Sequence, residues 1–199
     1  MSSLPDGFSP LVEVWGKGKN RSPLLVNFAH PSTWVVTLPS QDVNGEDGTI
    51  QAGEYAKGDT ATLFVYPDPG SVKVSEQPKS FYEDCLIKAI SQKGANVYQD
   101  FKVTRTEVVK GGYKNQEYVL VDFKYTLLTG AGFEVERKGV ASITSVGNSV
   151  QVLWTATIAA RFKKIGTDLR LIAESFRVYA DGLDLLVPVT KEFDDGFDL

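Results

Sequence analysis

The stretch V150-QVLWTATIAARFKKIGTDLRLIAESFRV-Y179 changes period part-way along, and that change decides the fold. Val150, Val152, Trp154, Ala156 and Ile158 alternate with polar or small residues, which is the period of a strand with one buried face. From Thr167 the period lengthens: Leu169, Ile172, Ala173 and Phe176 follow i, i+3, i+4, i+7. Thr167 is a cap-forming residue, so the spacing predicts a helix that starts there and lies over a sheet. Each large side chain buried on such a stripe contributes roughly 1.5–3 kcal/mol.

Upstream of that stretch the same strand period recurs. Runs near 97–109, 116–128, 133–146 and 149–158 are separated by "KGGYKN", "TGAG" and "GN", turn chemistry suited to antiparallel neighbours. In the second run Val119, Val121, Phe123, Tyr125 and Leu127 share a face. Shorter β-rich runs, "LLVNFA", "TWVVTLPS" and segments near 49–56 and 60–66, come earlier. Between the two sets, "SFYEDCLIKAISQKG" reads as a helix, with Ser80 and Glu83 as a capping box, Tyr82, Leu86, Ala89 and Ile90 on one face, and Gly94 as the stop. The expected class is α+β, an antiparallel sheet flanked by helices.

With 199 residues, 42% hydrophobic and 23% charged, the chain suits one domain with a substantial core. Residues 1–23, rich in Ser, Pro and Gly, read as an extended N-terminal arm; 24–179 form the domain; 180–199 form an acidic tail. That tail carries six acidic groups and one lysine, −5, leaving +1 on the first 179 residues out of a total of −4. Such a balance argues against nucleic acid as a partner. No apolar run approaches the roughly 20 residues of a membrane span, and the N-terminus lacks the apolar core of a secretory signal, so a soluble chain is expected.

Catalytic chemistry has little to draw on. The single histidine, His30, precedes Pro31 and reads as a loop residue without a partner, and the single cysteine, Cys85, reads as a small buried hydrophobe of the first helix. One His and one Cys exclude the usual zinc sets, and neither "GKGKN" nor "KGGYKN" is a phosphate cradle. No enzyme activity is expected. Calcium is the one cofactor left open: Asp42, Asn44, Glu46 and Asp47 in "DVNGEDG" place oxygen ligands on a loop similar to the start of an EF-hand, although Asp47 stands where the turn glycine belongs. A solvated turn is the alternative reading. Two basic clusters, Lys17, Lys19 and Arg21 on the arm and Arg161, Lys163 and Lys164 before the last helix, are candidate docking residues for an acidic partner.

The order of these features resembles the PsbP family of the chloroplast thylakoid lumen. The resemblance spans about residues 24–179 and rests on "STWVVTLPS", "PKSFYEDCL", "EYVLVDFKYTL" and the 150–179 stretch. Phe162 and Lys163 match the Phe-Lys of the family's Trp-Phe-Lys segment, Phe176 and Val178 match its closing Phe-x-Val, and Arg161 stands where the family has Trp. The resemblance implies an α/β/α sandwich in a divergent PsbP-domain protein. It also implies a monomeric, non-catalytic lumenal protein, peripheral on the thylakoid membrane. Such a protein docks on membrane subunits of a photosystem, to retain calcium and chloride at the oxygen-evolving complex of photosystem II or to assist assembly. A small-ligand carrier, with a cleft between sheet and helices lined by Trp34, Trp154 and Phe123, is the competing reading.

Overall fold

The computed structural model describes residues 4–16, 23–38, 49–91 and 97–180. Lys17, Lys19 and Arg21, the calcium candidates Asp42, Asn44, Glu46 and Asp47, the stop at Gly94 and the acidic tail beyond Ala180 lie outside them.

Two antiparallel sheets and two α-helices, with short 3-10 turns between them, make up the described fold. The larger sheet has seven strands: β3 (Val35–Thr37), β4 (Gln51–Glu54), β5 (Asp59–Pro67), β6 (Val97–Gly111), β7 (Gln116–Leu128), β8 (Glu134–Val146) and β9 (Ser149–Ile158). Their spatial order is β3-β4-β5-β9-β8-β7-β6. Strands β6 to β9 form the meander expected from the turn residues. At the β8–β9 hairpin Gly147 and Asn148 both take positive φ, 61° and 60°, the two-residue turn whose twist matches the flanking strands. The smaller sheet joins β1 (Phe8–Trp15), β2 (Leu24–Pro31) and β10 (Arg177–Tyr179) in the order β1-β2-β10.

The alternation of β7 sorts the core. Val119, Val121, Phe123 and Tyr125 face helix α1 (Lys79–Ser91), which buries Tyr82, Cys85, Leu86, Ala89 and Ile90 against them. Residues of the opposite parity, Tyr118 and Leu120, join the clusters that contain helix α2 (Phe162–Ser175). On that side α2 contributes Ile165, Leu169 and Ile172 to one core with Leu24, Val26, Phe28 and Val178 of the small sheet and with Leu63 and Leu153 of the large one. One face of the large sheet is thus covered by α1, and the other by α2 together with a second sheet.

Four expectations need correction. Residues 8–15 are not an arm outside the domain: β1 pairs along its whole length with β2, from Phe8 opposite Pro31 to Trp15 opposite Leu24, and Leu11 is buried. Pro10 obscures the period, and is tolerated because β1 is an edge strand. Helix α2 starts at Phe162, so Thr167 is inside it and exposed, and Lys163 and Lys164 belong to its first turn. Gly166, a poor helix former, lies inside the helix, where a Cβ would meet the Phe162 ring at 3.0–3.2 Å, a tight contact. Ser80 lies within α1, and Glu83 accepts from the Val103 N–H at 3.3 Å instead of completing a capping box. His30 is in strand β2, buried, with its Nδ1–H donating to the Pro31 carbonyl at 2.9 Å.

Candidate functional site: a lysine-lined groove

Strand parity places the even-numbered residues of β7 and β8 near α2 on the face that α2 covers, and beyond the helix's buried stripe that face is left open. There Lys124 of β7 is directly opposite Lys102 of β6 on one side and Lys138 of β8 on the other. All three side chains are exposed. Like charges directly opposite each other on neighbouring strands disfavour pairing, so this row works against the sheet that carries it.

Lys124 and Lys138 line a groove of about 630 Å³ whose far wall is α2, with Phe162, Lys163, Gly166, Thr167 and Arg170. Thr104, Asp122, Phe123 and Gly139 complete the lining on the sheet side. Gly139 is required by close approach: a Cβ would sit 2.0 Å from the Thr155 carbonyl oxygen and 2.6 Å from the Phe123 ring. Arg170 is engaged by Asp122 and lies 3.9 Å from Glu174, which leaves Lys124, Lys138 and Lys163 as the projecting charges of the groove. An adjacent hollow of about 350 Å³ shares Lys124 and Lys138 and carries Asp100 and Glu136 at its margin.

The first turn of α2 adds a second unfavourable arrangement. It holds Lys163 and Lys164, both exposed, and no acidic residue, although the positive end of the helix dipole favours acids there. Two local rules are broken at one place. Departures of this kind without a local gain are characteristic of functional surfaces.

Of the sequence-based docking residues, Lys163 lines the groove, Lys164 is exposed beside it, and Arg161 does something else. The Arg161 guanidinium grips Asp59 with two hydrogen bonds, Nε–H to Oδ1 at 3.1 Å and Nη2–H to Oδ2 at 2.6 Å. Thr157 donates to the same Oδ1 at 2.6 Å, and Asp59 is 1% exposed. Arg161 is therefore engaged as the counter-ion of a buried carboxylate, with its own side chain partly exposed. Lys102, Lys124 and Lys138 were not singled out from the sequence. The alternation in "DFKYT" and "ERKGV" shows that each lysine opposes an apolar face, but register is needed to bring them into one row.

Other candidate groups have structural duties. Cys85 is buried, with the Tyr66 hydroxyl 3.0 Å from its sulfur, and burial pushes the thiol up to about 11, so it stays protonated at neutral pH. Tyr66 is also shifted upward, first by burial and then by its bond with Cys85. Trp34 packs in the α2-side core whereas Trp154 and Phe123 pack on the α1 side, so the three cannot line one cleft. Among the described residues no cluster of three His, Cys, Asp or Glu side chains is placed to hold a metal ion, and no helix is long and apolar enough to cross a membrane.

No family model matches the chain, and no curated protein matches it. Among solved structures, the solution structure of cyanobacterial PsbP (CyanoP) from Synechocystis sp. PCC 6803 is similar, with a TM-score of 0.55 over 90% of this chain and 99% of that one, at 15% sequence identity. At that identity the likeness is one of fold: the chain has a PsbP-like fold.

Proposed function

We propose that this chain is a divergent PsbP-domain protein of the thylakoid lumen. In this reading it is a non-catalytic accessory or assembly factor, peripheral on the membrane, that docks on acidic surfaces of photosystem subunits. The observation that carries the reading is the row Lys102–Lys124–Lys138, of which Lys124 and Lys138 line the same groove as Lys163, a charge arrangement that costs the isolated fold and is relieved by an acidic partner. The PsbP-like fold supports the photosynthetic assignment, and in this reading the α/β/α sandwich of the family has its counterpart in α1 and α2 on the two faces of the large sheet, α2 being the wall of the docking groove. Calcium at Asp42, Asn44, Glu46 and Asp47 rests on residue type alone and is a secondary element of the proposal.

The test is co-sedimentation with photosystem-enriched thylakoid membranes. Binding is expected at low ionic strength and lost near 1 M salt, where the screening length falls from about 10 Å at 0.1 M to about 3 Å. The triple variant Lys124→Glu, Lys138→Glu, Lys163→Glu should abolish retention, while Lys79→Glu, exposed on α1 across the sheet, should not. Retention unaffected by the triple reversal, or no photosystem subunit bound at low salt, would overturn the proposal.

A further inference from the structure

On the opposite face of the large sheet, beyond the C-terminal end of α1, lies a second groove of about 420 Å³, within the range of small-molecule sites. Its walls include Tyr55, Tyr98, Tyr125 and Trp154, with Arg137 and Thr62 among the polar groups. The aromatic walls are braced: Tyr98 and Tyr125 meet edge to face at 5.7 Å, and the Tyr98 hydroxyl donates to the Ile90 carbonyl at 2.8 Å. Arg137 is held in place by its Nη2–H, which donates to the Gly58 carbonyl at 2.8 Å.

Two of the side chains that line this groove carry a donor that is left over beneath its surface. The Trp154 indole Nε1–H and the Arg137 Nε–H are both buried and have no hydrogen-bond partner. A buried donor without an acceptor costs roughly 1–3 kcal/mol, and most native folds avoid it. An indole N–H and a guanidinium can only donate, so what completes them is an acceptor, and the guanidinium favours an anion. The surrounding rings favour a flat apolar body. We infer that this groove binds a small organic carboxylate with a planar apolar body, the carboxylate oxygens accepting from Trp154 Nε1–H and Arg137 Nε–H. Side-chain adjustment of the kind common on binding brings the two buried donors into reach. The site lies across the sheet from the lysine groove and does not depend on the docking proposal.

The test is a titration of the isotope-labelled protein with phenylacetate and indole-3-acetate, with phenylacetamide as the neutral counterpart, followed through the indole N–H signals. Trp154→Phe assigns the Trp154 signal among the three tryptophans of the chain. A saturable downfield shift of that signal with either acid, and none with the amide, is expected. Arg137→Gln should weaken binding about tenfold or more, the usual effect of losing a charge-assisted bond. Trp154→Phe keeps the wall and removes only the donor. Followed through the Leu127 methyl signals, it should also weaken binding, and it serves as the deciding variant if Arg137→Gln does not fold. No movement of the Trp154 signal at roughly 10 mM acid, a concentration that would reveal even millimolar affinity, overturns the inference. An equal response to the amide, or unchanged affinity in a folded Arg137→Gln or in Trp154→Phe, does the same.

Discussion

Replacing Arg161 by Met tests whether that residue is a counter-ion of the core or a docking contact. Asp59 is 1% exposed and receives two hydrogen bonds from Arg161 and one from Thr157, so the variant leaves a carboxylate buried with a single neutral donor. Breaking a buried ion pair from one side costs about 3–5 kcal/mol, and the Arg161 side chain is itself only 26% exposed. A domain of this size loses about 2–4 °C of Tm per kcal/mol, which gives a fall of roughly 6–20 °C. Urea denaturation of the wild type, Arg161→Met, Asp59→Asn and the double variant measures both the loss and the coupling. Removing the stranded charge should recover stability, so Asp59→Asn/Arg161→Met should be more stable than Arg161→Met alone. A loss below about 1 kcal/mol, the value of a solvent-exposed pair, or a double variant less stable than the single, would refute the reasoning. Under the docking proposal, co-sedimentation with thylakoid membranes should be unchanged in any folded Arg161 variant.

Three further outcomes are expected. Burial raises the folded-state pKa of Cys85 from 9.0 to about 11, so the folded protein holds the thiol proton more tightly than the unfolded chain. The resulting stabilisation is complete below pH 9 and is lost as pH rises toward 11, about 2–3 kcal/mol in all. Denaturation curves at pH 8 and pH 10 should show a drop that is smaller in Cys85→Ala, and equal drops would contradict the assignment. Gly139→Ala forces a Cβ against the Thr155 carbonyl, and should destabilise by more than about 3 kcal/mol or prevent folding, as measured by thermal melting. Leu169→Ala, at a position with 0% exposure in the core shared by both sheets, should cost about 2–5 kcal/mol.

The sequence alone determined the meander and the buried face of α1. Strands β6 to β9 were legible because alternation and turn chemistry are local, carried by residues a few positions apart. Tyr82, Leu86, Ala89 and Ile90 declare their face through helical spacing for the same reason. Only the tertiary structure decided the rest. Strand β1 hides its role behind Pro10, and is recognised by the partner it lies against. The onset of α2 at Phe162 puts Gly166, a poor helix former, inside the helix, where tertiary context overrides propensity. Arg161 and Asp59 are 102 positions apart, and nothing local marks one as the counter-ion of the other. The lysine row exists only through register: a shift of one residue between β7 and its neighbours would scatter Lys102, Lys124 and Lys138 and turn the proposed docking surface into separate solvated charges.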